Sequence, residues 1–179
     1  MEIDIKKLKA KSEDEFEKFY QLYINRIYTI IYRIVKDEAD AEDLTMEVMM
    51  KVYDKIDSFR GEARLSTWVY RIAYNHSLGF LRKKKPVESL KEYDKSIDEP
   101  HLLQIEREEI SNLLRVKLME LPEKQRIALT LFYYEELSYK EISYTMGVDI
   151  GAVKNYIHRG KENLKNILDK VQEGAKDGF

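Results

Sequence analysis

Apolar residues recur along this chain at the period of an α-helix. From Glu13 to Ser58 there is neither glycine nor proline, and Phe16, Phe19, Tyr20, Tyr23, Ile27, Ile30, Ile31 and Ile34 fall at helical spacing. This predicts a long amphipathic helix. A second is expected from about Asp40, with Ala41, Leu44, Val48, Val52 and Ile56 on one face and Asp40, Asp43, Glu47 and Lys51 on others. Gly61 interrupts the pattern, which resumes as Leu65, Trp68, Val69, Ile72, Ala73 and Phe80 and predicts a third helix from Leu65 to Lys83. Three such helices close one small bundle.

The stretch from Pro86 to Pro100 has a proline at each end, mixed charge and few bulky apolar groups, so it reads as a linker. Leu102 to Leu121 is again helical in pattern, and Pro122 suits the first turn of a helix running to about Tyr134. Ser138 and Glu141 form a capping box, predicting a new helix start at Ser138 and, from Met146-Gly147, its end. Asp149 is a good N-cap for a last helix from Ile150 to about Val171. The predicted fold class is all-α, two small helical bundles joined by a flexible linker. The domains are read as residues 1–85, an acidic linker over 86–110, and 111–179.

Composition narrows the function. Glycine and proline number 7 and 3 of 179, too few for a turn-rich sheet protein. The absence of cysteine excludes disulfides, thiolate metal sites and thiol nucleophiles. No run approaches the ~18 apolar residues of a membrane span, and the acidic start Met1-Glu2-Ile3-Asp4 is unlike a signal peptide, so a cytoplasmic location is expected. A net charge of -2 rules out a uniformly basic coat for nucleic acid, but it conceals alternating blocks. Residues 36–57 sum to -5, 60–85 to +6, 86–110 to -5 and 154–170 to +3. Basic blocks on helices meet the requirement for phosphate contacts; acidic ones suit a basic protein surface or a solvated face.

The order capping box, short helix, Gly147 turn, second N-cap and longer basic helix matches a helix-turn-helix. Ile142, Met146, Val148, Val153 and Ile157 are apolar where the two helices must pack, and Ser143 is small enough for close approach. Gly151, Lys154, Asn155, His158, Arg159 and Lys161 form the candidate reading set on the second helix. Lys and Arg pair with phosphates or guanine edges, Asn reads adenine, and Gly151 admits close backbone approach.

The segment Phe59 to Lys85, FRGEARLSTWVYRIAYNHSLGFLRKKK, resembles the promoter-melting region of bacterial sigma factors of the extracytoplasmic-function (ECF) group. Upstream, DAEDLTMEV (Asp40 to Val48) is similar to that family's acidic polymerase-binding helix, and Leu121 to Leu168 is similar to its helix-turn-helix domain. The resemblance implies a subunit that binds core RNA polymerase, through the beta-prime clamp helices and the beta flap, and opens promoter DNA. Carried over by position, Asp40, Glu42, Asp43, Leu44 and Glu47 grip polymerase, with Met46 in place of the usual Gln and Met49 where an aromatic is common. Phe59, Arg60, Arg64, Trp68, Tyr70, Arg71, Asn75, Arg82, Lys83 and Lys84 face the -10 element, and the second helix of the helix-turn-helix faces the -35 element. Strand opening needs flat groups that replace lost stacking and cations that follow a single strand. Phe59 either stacks on a base or anchors its loop, and Trp68 either stacks or joins the core. The cations from Arg82 onward suit both phosphates and the carboxyl end of a helix dipole. The resemblance also implies an anti-sigma partner.

An enzyme is not supported. His76, His101 and His158 lie in different segments, no HExxH spacing or glycine-rich phosphate loop occurs, and pairs such as Glu135-Glu136 read as surface charge. No cofactor or metal is expected. The alternatives to a sigma factor are a stand-alone helix-turn-helix regulator with an N-terminal helical interaction domain, and a helical adaptor binding only protein. Neither needs an acidic helix followed by an aromatic and basic one.

Overall fold

A computed structural model describes residues 3–84 and 113–176, the side chains of 171–176 excepted. The described residues form helices and no strands. In chain order they are α1 (Ile5–Lys9), α2 (Glu13–Val35), α3 (Glu38–Lys55) with a 3-10 turn Ile56–Ser58, and α4 (Leu65–Lys83). A helix over 113–119, here α5, is followed by α6 (Glu123–Tyr133), α7 (Tyr139–Met146) and α8 (Ile150–Lys176). Of the helix expected over Leu102 to Leu121 only this last part falls within the described residues, and the 86–110 linker lies outside them. The all-α class with a helix-turn-helix in the second bundle holds.

The predicted stripes become the cores. Phe19, Ile27, Ile30 and Ile31 of α2 meet Ala41, Val48 and Val52 of α3 and Val69 and Ala73 of α4, all fully buried. A run of rings crosses this bundle: Phe16 to Phe19 at 5.7 Å, Phe19 to Tyr23 at 4.6 Å, and Tyr23 to Tyr70 at 6.3 Å between centroids. In the second bundle Ile127, Leu131, Ile142, Val153 and Ile157 are buried together.

The boundaries follow local chemistry. Between α2 and α3, Lys36 sits in the left-handed region at φ 59°, a C-cap conformation normally left to glycine. Asp37 then caps α3 by accepting from the Asp40 amide at 2.9 Å. Pro122 is the N-cap of α6, immediately before the first turn in which the sequence places it. The Ser138–Glu141 capping box closes in both directions, and Gly147 takes φ 66° at the end of α7. Asp149 accepts from the Ala152 amide at 2.8 Å and caps α8. The five-residue α1 is too short to show a period, and its signal is local: the Asp4 carboxylate accepts from the Lys6 and Lys7 amides.

The two bundles touch. At the junction Arg126 of α6 is fully buried, and its Nε donates to the Arg33 carbonyl at 2.6 Å, near the end of α2. Its Nη1 donates to the Leu121 and Met119 carbonyls at 2.6 and 3.2 Å. Arg33, also buried, donates to the Thr130 hydroxyl at 2.7 Å and lies over the Tyr134 ring at 4.2 Å. Burial holds both guanidinium groups below their usual pKa range. Lys36 reaches across to the Met119 carbonyl at 2.8 Å.

The Tyr74 phenol on α4 is buried, and burial first, then the Glu123 carboxylate, pushes its pKa up to about 12. Between the unfolded value of 10.0 and that value the unfolded chain has released a proton that the folded chain keeps, so stability falls as pH rises. Each pH unit of that window removes ~1.4 kcal/mol. Tyr74→Phe is expected to flatten this alkaline decline in urea titrations at successive pH values; parallel curves for the two proteins would refute it.

Candidate nucleic-acid and polymerase interface

The candidate reading set on α8 lies along one open face. Lys154, Asn155, His158, Arg159 and Lys161 are all exposed, while Val153, Ile157 and Gly160 turn inward. The helix-turn-helix that presents them is braced by the Ser143 hydroxyl, which donates to the Val148 carbonyl across the turn, a role beyond the small size that the sequence reading gave Ser143. Gly151 has a structural reason of its own, because a Cβ there would sit 2.9 Å from the capping Asp149 carboxylate. Gly160 was not singled out in the sequence: a Cβ there would stand 2.9 Å from Leu129, so α6 and α8 cross where only glycine fits without adjustment.

On α3, Glu42, Asp43 and Glu47 are exposed and Leu44 is buried beneath them. Asp40 is paired with Lys84, the end of α4. Met46 and Met50 add an exposed apolar strip at 51% and 68% exposure within the acidic face. Glu47 is held in place: it accepts from His76 Nε2 at 2.5 Å, and the other ring nitrogen meets Lys51 Nζ at 2.7 Å. Lys51 is a donor only, so this arrangement requires the tautomer protonated at Nε2. The sequence hides this cluster because its members are brought together by the packing of α3 on α4.

The loop and helix assigned to the -10 element divide into open and covered residues. Arg60, Arg64, Asn75, Arg82, Lys83 and Lys84 are exposed. Phe59 is buried and anchors its loop against Trp68, ring centroids 5.4 Å apart. Trp68 is half-buried and lines an open cleft of about 430 Å³ shared with Lys51, Lys55, Arg71 and Tyr144. Tyr70 is fully buried, and its hydroxyl donates to the Glu135 carboxylate; in this arrangement its ring is closed to any base. Arg71 lies over the Tyr144 ring at 4.3 Å, and Arg64 pairs with Glu141 at 3.3 Å.

Glu135 corrects the sequence reading of surface charge. Its side chain is 6% exposed, between Tyr70 and Arg26, the latter at 3.7 Å. Burial raises its pKa, against the lowering effects of the Tyr70 hydrogen bond and Arg26. Glu141 shows the opposite balance: burial pushes it up, but the Ser138 hydroxyl and amide, Arg64 and Thr67 outweigh that and lower it. Among the described residues no cluster of three or more histidine or carboxylate groups is arranged to hold a metal ion, and no helix is long and apolar enough to cross a membrane.

Comparison with known proteins matches the same two parts of the chain. Residues 19–87 match the model of Sigma-70 region 2, and residues 111–164 match that of Sigma-70, region 4. The ECF RNA polymerase sigma factor SigW of Bacillus subtilis is 35% identical over 176 residues, spanning 92% of this chain and 94% of its own length. SigM of the same organism is 29% identical over 160 residues, 86% of this chain and 95% of its own length. In fold, the chain is similar to the sigma factor RpoE of Bartonella quintana, solved in complex with the anti-sigma factor NepR, with a TM-score of 0.67, 22% identity, and coverage of 87% of this chain and 97% of that one. With two matched regions and a relative of that identity along nearly its whole length, the chain belongs to the ECF group of RNA polymerase sigma factors.

Proposed function

We infer that the chain is a dissociable initiation factor that binds core RNA polymerase and directs promoter recognition and DNA melting. The observation that carries this reading is the pairing, in one chain, of an exposed acidic face on α3 with an exposed reading row on α8. A stand-alone regulator needs only the second. The acidic face, through Asp40, Glu42, Asp43 and Glu47, meets the basic clamp helices of beta-prime, and Met46 and Met50 add apolar area at its centre. The second bundle engages the beta flap and sets α8 in the major groove of the -35 element, with Lys154, Asn155, His158, Arg159 and Lys161 toward bases and phosphates and Gly151 at close backbone approach. The loop from Phe59 to Arg64 and the exposed side of α4 take the -10 element, its cations from Arg82 to Lys84 following the strand. Membership of a family of non-catalytic initiation factors supports the absence of a reaction of its own. The proposed location is the cytoplasm, beside polymerase. An anti-sigma protein is the proposed inhibitor, a partner supported by the complex with an anti-sigma factor in which RpoE, a sigma factor of this fold, was solved.

Run-off transcription with core polymerase on genomic fragments tests this directly. Discrete promoter-dependent 5′ ends are expected only when the chain is added, with the Lys154→Ala, Arg159→Ala double variant lowering their yield about ten-fold or more. Tight duplex binding by the chain alone, to which core polymerase adds nothing, would refute the reading. Asp43→Arg is expected to weaken binding to core polymerase by about ten-fold, the equivalent of ~1.4 kcal/mol, with the thermal melt of the chain unchanged. Equal core affinity for variant and parent would move the polymerase interface away from α3.

A further inference from the structure

The loop assigned to the -10 element is held in place from the N-terminal helix. Residues 59–64 join the 3-10 turn after α3 to α4, and among the described residues 60–63 make no backbone-to-backbone hydrogen bond. The loop therefore depends on its two ends. Arg64 forms the far end as the N-cap of α4, its carbonyl accepting from the Trp68 amide at 3.1 Å. Phe59 forms the near end, and each part of it is held. Its ring is buried against Trp68, its amide donates to the Ile56 carbonyl at 3.0 Å, and its carbonyl accepts from Lys9 Nζ at 2.6 Å.

Lys9 belongs to α1, which packs on α2 and on the 3-10 turn. That helix has anchors of its own. Leu8 is buried, the Asp4 amide donates to the buried Glu15 carboxylate at 2.8 Å, and Lys11 Nζ lies 4.7 Å from the centre of the Tyr53 ring. Lys9 is one of four lysines in residues 6–11, and only the packing of α1 on the 3-10 turn picks it out for the loop.

We propose that α1 is a strap that sets the -10 loop, with Lys9 as a positioning residue for recognition of the opened strand. This role rests on the assignment of the loop to the -10 element. A peptide unit is planar, so holding the Phe59 carbonyl fixes the plane through which the chain leaves Phe59, and with it the direction in which Arg60 starts. Gly61 then turns the loop at φ 75°, a conformation that glycine adopts readily. Arg60 is exposed and makes no side-chain hydrogen bond or ion pair among the described residues, so its reach toward DNA is set by the backbone that carries it. Lysine suits the task, because a charged donor makes a short, strong bond to a carbonyl and the half-buried setting limits competition from water.

Lys9→Met tests this, since it keeps the length of the side chain and removes its donors. Lys9→Arg retains a charged donor, and Lys6→Met removes an equal charge from an exposed position on the same helix. In the free full-length chain, trypsin cuts after Arg60 when the loop opens, and Lys9→Met is expected to speed that cut about five-fold, the size of one lost hydrogen bond. Cleavage after Arg159, in α8, reports on the rest of the fold and is expected to keep its rate. In the holoenzyme, affinity is read with a fork probe that carries the mapped promoter with its -10 segment unpaired. Lys9→Met is expected to lower that affinity about five-fold with binding to core polymerase unchanged, Lys9→Arg to recover most of it, and Lys6→Met to match the parent. Arg60→Ala combined with Lys9→Met is expected to be no weaker than Arg60→Ala alone, because both act through one loop. An unchanged rate after Arg60, or equal acceleration after Arg60 and Arg159, would overturn the pin. A faster cut with full fork-probe affinity, or a loss that Lys9→Arg does not recover, would overturn the positioning role. Fork-probe affinity that Arg60→Ala leaves intact would overturn the assignment of the loop and the role of Lys9 with it, and the free-chain cut keeps that failure apart from a failure of the pin.

Discussion

A helix ends with backbone carbonyls that have no partner within it, and in this chain one such carbonyl near the end of α2 is bound by an arginine from the other bundle. Arg126 donates to Arg33 and also to Met119 and Leu121, so a single guanidinium joins the end of the first bundle to the turn that opens α6. The alignment of α6 on α2 follows from it, and with that alignment come the placement of Glu135 on Tyr70 and of α7 on α4. Arginine suits this position. Its planar fork serves several carbonyls at once and stays charged when burial lowers its pKa. Lys36, strained into the left-handed region, completes the same junction by reaching Met119.

The charge blocks in the sequence acquire separate meanings in the fold. The acidic residues of α3 remain largely in solvent, and the basic residues of α8 remain in solvent along one face. The basic block over 60–85 is divided: Arg60 and Arg82 stay exposed, Arg64 and Lys84 are exposed but paired, and Arg71 is half-covered by a ring. Near-neutral net charge therefore conceals, besides the acidic block over 86–110, two open surfaces of opposite sign and one that is partly engaged inside the molecule.

Features that depend on neighbouring residues in the chain were legible in the sequence. The Ser138–Glu141 box, the Gly147 turn and the Asp149 cap each require a few consecutive residues, and the structure forms all three. Features that depend on distant packing were not. Gly160 is an ordinary helical residue until Leu129 is placed against it, Glu135 is surface charge until α4 covers it, and Glu47 and His76 have no visible relation until α3 lies on α4. Lys36 gave no signal because a left-handed C-cap is normally marked by glycine. The two readings left open for Phe59 narrow to a loop anchor, since its ring is buried against Trp68; Trp68 keeps both roles, packing on one side and open to the cleft on the other.

This chain lets polymerase open a promoter, and permanganate reactivity of promoter thymines measures that opening directly. With core polymerase and the chain together, unpaired thymines are expected to become reactive in one short segment about ten base pairs upstream of the mapped 5′ end, and neither component alone should produce them. Reactivity that core polymerase produces without the chain, or a duplex that stays unreactive when both are bound, would contradict the account.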